Sequence, residues 1–351
     1  MAAYRAVQSV QASNLDEHQD QALDSYLTSR MEEGHPDSET YRAIVNRSRV
    51  GSEDNPPLSI LFARWERETK PTPKTAFEWR KIRERFTALA LGGADFTARQ
   101  IERAHVVTYK DALLSMDRSP ATISKALAAL KSVFAFGVNN GLVAVNPAAG
   151  VRVSRRAKGE RTRLPYALEE ARALLEASSK LAGANRWLPW LAAHTGARRS
   201  ELAGLKTGDV QQIEGTWCLV IEDSNVRRIK TASSRRMIPL APVLIEAGFL
   251  QHVEATKASG RVFPEVATDA LGTCGAAWTK WYGRWSRTIV SDRRKVFHSW
   301  RHLVEDRLRD AGVPEDQRDA LLGHSSSRMG RRYGAGFSTP VLLEAVKKIR
   351  Y

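Results

Sequence analysis

Apolar side chains recur every three to four residues along much of this chain, the repeat of helices that bury one face. Trp79, Ile82, Phe86 and Leu89 form one such stripe, with Arg80, Lys81, Arg83 and Arg85 lying off it. A second pattern covers 97–116 through Ile101, Val106, Tyr109, Leu113 and Leu114. A third opens at Ser119-Pro120, an N-cap followed by proline at the first helical position, and runs through Ile123, Leu127, Leu130, Phe134 and Val138. From Leu58 to about Val151 the pattern therefore predicts four helices.

Beyond 166 the pattern mixes helices and strands. Helices are predicted at 168–181, 186–194 and 198–205, and strands at 217–221 and 236–240 flanking a basic loop. Trp278, Trp281, Tyr282 and Trp285 recur at helical spacing with Lys280, Arg284 and Arg287 interleaved. Stacking on bases is one use for such rings, but a duplex hides its base faces, so core packing is favoured and the cations are left for phosphate. Further on, Phe297, Trp300, Val304, Leu308 and Ala311 make an apolar stripe with His298, Arg301 and His302 beside it, and Gly312 and Pro314 end that helix. At 338–351 a cap at Ser338 precedes Leu342, Leu343, Val346 and Ile349 on one face.

Charge changes this picture through its distribution. The net charge is +15, yet residues 1–56 hold ten acids against five arginines, so the remainder carries +20. That excess calls for a polyanionic partner, nucleic acid foremost. The acidic first segment, with a weak helical pattern at Leu15, Leu23, Leu27 and Met31, does not suit phosphate contact. Between 151 and 165, Arg152, Arg155, Arg156, Lys158, Arg161 and Arg163 face the single acid Glu160, the composition of a cationic linker. Two cysteines are too few for a disulfide framework, and neither a signal peptide nor a membrane span is read, so a reducing cytoplasm is expected.

Chemistry concentrates at 297–334. His298 and His302, four apart, could share a zinc, but Ser299 stands where a zinc protease needs glutamate, and the cation Arg301 sits between them; no metal is expected. Leu322-Gly323-His324 follows, and nine residues on Tyr333 stands between Arg332 and Gly334. Upstream lie Thr195-Gly196-Ala197-Arg198-Arg199-Ser200-Glu201-Leu202, and Lys230 in the basic loop. These four boxes, in this order, resemble the tyrosine recombinases, or phage-type integrases, over roughly residues 55 to 350.

The resemblance implies a multidomain, mainly α fold: a helical, SAM-like core-binding domain at 57–150, the linker at 151–165, and a mixed α+β catalytic domain with a small antiparallel sheet at 166–337. The acidic segment 1–56 precedes them, and a tail helix at 338–351 would dock on a neighbouring protomer. It implies Tyr333 as nucleophile, His298 as its base, Lys230 as the acid that protonates the leaving oxygen, and His324 as a donor to the phosphate. Arg198 and Arg301 suit the phosphate because each planar fork can hold two oxygens. Glu201, three residues after Arg198, would orient that guanidinium, and His302 would be support. Candidate DNA contacts are Arg80, Lys81, Lys125, Lys131, Arg155, Arg156, Arg235, Lys280 and Arg284. The implied activity is site-specific recombination that integrates or excises a phage or other mobile element in a bacterial cytoplasm. It needs no cofactor. The partners implied are double-stranded DNA with specific core sites, a homotetramer on synapsed DNA formed from monomers or dimers, and accessory DNA-bending or directionality factors. A type IB topoisomerase shares this chemistry, and a non-catalytic DNA-binding protein would share the charge.

Overall fold

The computed structural model describes residues 55–154, 163–222, 235–324 and 336–351. The chain divides into two compact units, Met1–Arg155 and Arg156–Tyr351, a division that falls inside the basic 151–165 segment.

In the first unit, helices α1 (Leu58–Thr69), α2 (Pro73–Ala90), α3 (Arg103–Ser115) and α4 (Pro120–Asn139) surround a core of Leu58, Leu61, Phe86, Tyr109, Leu113, Ile123, Leu130 and Phe134. Two starts are fixed by side chains: Thr72 and Ser119 each accept the N–H three residues on, with proline in the first turn. The expected helix at 97–116 is interrupted. A 3-10 turn at Ala98–Gln100 comes first, because the Gln100 side chain accepts the Thr97 N–H, and α3 starts only at Arg103. By length and composition α4 could cross a membrane, but Ile123, Leu127, Leu130, Val133 and Phe134 are buried in this core, so it is a core helix.

In the second unit, α5 (Leu168–Ser179), α6 (Gly183–Thr195) and α7 (Arg199–Ala203) lead into an antiparallel sheet of β1 (Val210–Ile213), β2 (Thr216–Ile221) and β3 (Arg236–Pro239), in the order β1-β2-β3. Leu219 pairs with Val210 on one side and with Ile238 on the other. There follow α8 (Pro242–Glu246), α9 (Phe249–Ala255), α10 (Ala276–Ser286), α11 (Ser299–Asp310), α12 (Glu315–Leu322) and α13 (Thr339–Lys347). The tryptophan stripe lies on α10 and faces inward: Trp278 and Tyr282 are buried, and Trp281 and Trp285 stack against each other over the same core. A buried chain of hydrogen bonds runs from Tyr166 through the Tyr282 hydroxyl, which accepts from Trp300 Nε1 at 2.9 Å. It pins the first turn of α11, which packs on α6.

The tail differs from expectation. Leu342, Val346 and Ile349 of the expected face, with Ala345, are buried in the core of their own unit, Leu343 is half-buried, and the Tyr351 ring meets His194 and Trp300. The apolar face of α13 is covered in cis by β3 and α12, so no neighbouring protomer is needed to bury it. Leu342→Ala should therefore destabilise the isolated protein by about 2–5 kcal/mol, the usual cost of a buried Leu→Ala cavity. Val341→Ala, at a residue 41% exposed on the same helix, should change stability by less than about 0.5 kcal/mol. Urea unfolding of both variants checks this, and equal midpoints would show that the face is not buried in solution.

Candidate active site

Two turns and one helix start bring the sequence boxes together. Gly196 ends α6 in the left-handed conformation (φ +61°), and a Cβ there would collide with Leu322 and Val304. Its bare backbone can therefore lie against α11, where its carbonyl accepts a 2.9 Å hydrogen bond from Arg301 Nη1. Arg198 is the N-cap of α7, and Glu201 at the third helical position accepts the Arg198 backbone N–H at 2.7 Å. The same carboxylate takes Arg198 Nη1 at 2.9 Å. Arg198 Nη2 reaches the carbonyl of Gly323, in the turn that ends α12. Through these bonds Arg198 ties its own box to the Leu-Gly-His box.

His298 corrects the sequence reading in one respect, being the residue before α11 and not part of it. The Ser299 hydroxyl captures the Val296 N–H at 3.0 Å and forms the turn from which the helix starts. The His298 ring meets His302 edge-on at 5.0 Å. At the other box, His324 Nδ1 lies 3.3 Å from Asp319 Oδ1.

Electrostatics show that these groups share one space. Although His298 reaches the surface, burial pushes its pKa down to about 4, helped by the charges of His302, Arg301, Arg198 and His324. The imidazole is thus neutral at physiological pH, the form able to accept a proton. Arg301 is only 5% exposed. Burial first, and then Arg198 and Arg236, lower its pKa to about 10, which leaves it charged at neutral pH. Its Nη2 is buried with no hydrogen-bond partner among the described residues. A buried, unsatisfied charged donor costs free energy unless a ligand meets it. His324 is also lowered, by burial and then by Arg301.

One principal member of this network, Arg236, is not among the sequence-named site residues. It opens the strand expected at 236–240, and its side chain is 5% exposed. It donates from Nη1 and Nη2 to Glu201, at 3.1 and 2.7 Å, and from Nε to the Leu321 carbonyl at 2.8 Å. Burial raises the Glu201 pKa, but the hydrogen bonds and charge of Arg236 and Arg198 outweigh it and lower the net value. Asp319 was not read as a functional residue at all; its only sequence signal is its place five residues before His324.

Of the sequence-named site residues, Arg198, Glu201, His298, Arg301, His302 and His324 come together. Tyr333, Lys230, Arg155, Arg156 and the acidic segment up to residue 54 lie outside the described residues. Among the candidate DNA contacts, Arg80, Lys81 and Lys125 are exposed but already paired with Glu66, Glu84 and Glu78. Such surface pairs are weak and exchange readily. Lys131, Arg235, Lys280 and Arg284 are exposed.

The depressed imidazoles have a consequence for acid stability. His298 and the buried His194 both fall from an ordinary 6.5 to about 4, so below pH 6.5 the unfolded chain takes up protons that the folded chain refuses. Stability contributed by these groups is present above pH 6.5 and is lost as pH falls towards 4. A histidine titration followed by NMR should show His298 neutral at pH 5.5, and adding an oxyanion should raise its pKa by offsetting the arginine charge. Titration near 6.5 without anion would contradict the clustering.

Residues 167–337 match the phage integrase family. The chain is 27% identical to a protein named tyrosine recombinase XerD from Halalkalibacterium halodurans, over 65% of this chain and 75% of that one. Among solved structures, a lambda integrase tetramer bound to a Holliday junction superposes with a TM-score of 0.57 at 18% identity, covering 80% of this chain and 81% of that one. The Tn1549 transposon integrase in complex with a circular intermediate DNA gives 0.58 at 16% identity, covering 84% and 99%. At these identities the structures show a shared fold.

Proposed function

We propose that this chain, whose residues 167–337 match the phage integrase family and which is similar to tyrosine recombinases, cuts and rejoins DNA through a covalent 3′-phosphotyrosyl intermediate on Tyr333. The observation that carries the reading is the buried Arg301 with an unpartnered Nη2 beside Arg198, two guanidiniums set for the non-bridging oxygens of one phosphate. The Tyr333 oxygen attacks phosphorus and passes its proton to neutral His298. The bond to the 5′-oxygen breaks, and Lys230 protonates the departing 5′-oxygen, which leaves as a hydroxyl. His324, oriented by Asp319, donates to a non-bridging oxygen. The phosphotyrosine conserves the energy of the broken bond, so a 5′-hydroxyl from another strand can attack it and regenerate DNA without a nucleotide cofactor.

The substrate we propose is double-stranded DNA with paired core sites, belonging to a phage or other mobile element and acted on in a bacterial cytoplasm. Lys131, Arg235, Lys280 and Arg284 are proposed to touch its phosphates, and four copies to act on the synapsed sites. The lambda and Tn1549 complexes, one of them a tetramer, support this assembly.

On a nicked suicide substrate the unaltered protein should give a covalent adduct on a denaturing gel, and Tyr333→Phe should give none while binding DNA normally. A shifted band from the Phe variant would overturn the nucleophile. Arg301→Lys should slow single-turnover cleavage by roughly 10²-fold or more, close to Arg301→Ala, because a point charge cannot hold two oxygens and the Gly196 carbonyl together. Near-normal cleavage by the Lys variant would show that charge alone suffices.

A further inference from the structure

We propose that Arg236 is a positioning residue that fixes Arg198 and the His324 turn in one geometry, acting through Glu201 and the Leu321 carbonyl. This rests on the reading of the phosphate site given above. Arg236 is the first residue of β3, but its guanidinium lies inside the unit and bonds to two other elements, α7 through Glu201 and the end of α12 through Leu321. Glu201 is 3% exposed and serves two guanidiniums at once, with both carboxylate oxygens engaged by Arg236 and by Arg198. The carboxylate cannot turn away from Arg236 without also moving Arg198.

The Leu-Gly-His turn is held the same way. Arg236 Nε holds the Leu321 carbonyl, Arg198 Nη2 holds the Gly323 carbonyl, and a Cβ at Gly323 would come within 2.9 Å of Arg236 Nη1. The turn that presents His324 is therefore seated directly on the Arg236 fork. Lysine cannot replace this arrangement, since one ammonium on a flexible stem cannot give two parallel bonds to a carboxylate and a third in the Nε direction. It does keep a cation beside Glu201, so the carboxylate is not left buried and uncompensated.

The test is Arg236→Lys, assayed for core-site binding and for the single-turnover rate of adduct formation. Two DNAs are compared, one ordinary and one whose scissile phosphate carries a methyl group in place of a non-bridging oxygen. On ordinary DNA adduct formation should slow by about 10–100-fold, the usual cost of losing an outer partner of a site residue. Binding should remain within about threefold, because the Arg236 side chain is buried and bonded within its own unit. On the methyl-bearing DNA, where the charge that Arg198 must meet is gone, variant and unaltered protein should differ by less than about threefold. Glu201→Gln, which leaves Arg236 in place, should show the same dependence on the phosphate's charge. Unchanged cleavage of ordinary DNA by Arg236→Lys, or slowing by the same factor on both DNAs, would overturn the proposal. Loss of the adduct from the unaltered protein itself would instead overturn the reading of Tyr333, and this proposal with it.

Discussion

Guanidinium charge held away from water with too few anions to match it is the constraint on which the second unit is built. Arg198, Arg236 and Arg301 converge on Glu201, which is hydrogen-bonded to the first two and only electrostatically coupled to the third. Removing the buried charges of Arg236 and Arg301 from water costs several kcal/mol per ion, and Glu201, with Glu305 acting on Arg301 by charge alone, leaves the three cations undercompensated. Two features of Arg301 show the strain: burial, and then the charges of Arg198 and Arg236, draw its pKa down to about 10, and its Nη2 finds no partner among the described residues. On the proposed function a phosphate diester would supply the missing charge and acceptors, so the arrangement that is costly in the free protein would become favourable on DNA. Donors already in place would then need no reorganisation at the moment charge develops.

Such a cluster stays in place only if the surrounding structure is rigid, and the packing supplies this. The Tyr166, Tyr282 and Trp300 hydrogen bonds fix the start of α11, and Gly196 lets α6 and α11 approach closely enough for a backbone carbonyl to hold Arg301. The cis-docked tail closes the same core, with Tyr351 donating to the Ala193 carbonyl one residue from His194. Each of these contacts bears on the position of an arginine or a histidine.

Much of this was legible in the sequence because it follows from periodicity and spacing. The cap at Ser119, the stripe from Phe297 to Leu308, the inward-facing tryptophans and the strands either side of the basic loop are all local signals. Less visible was anything decided by partners distant in the chain. Arg236 does not stand out in the sequence because nothing local distinguishes an arginine that bonds Glu201, 35 residues away, from one that faces solvent. The break before α3 and the start of α11 after His298 depend on the side chains of Gln100 and Ser299 choosing backbone partners. An amphipathic tail shows that its face must be covered, but not by what; here its own unit covers it.

The most direct measurement is a crystal structure of the protein, with Tyr333 replaced by phenylalanine, on an uncleaved duplex that it binds specifically. The scissile phosphate should lie with non-bridging oxygens about 2.7–2.9 Å from Arg301 Nη2 and from the Arg198 guanidinium. His298 and His324 should face the same phosphate, and the bonds among Glu201, Arg236 and Leu321 should be unchanged from the free protein. A phosphate held by other residues, with Arg301 Nη2 still unpartnered, would contradict the idea that this buried charge is built for DNA.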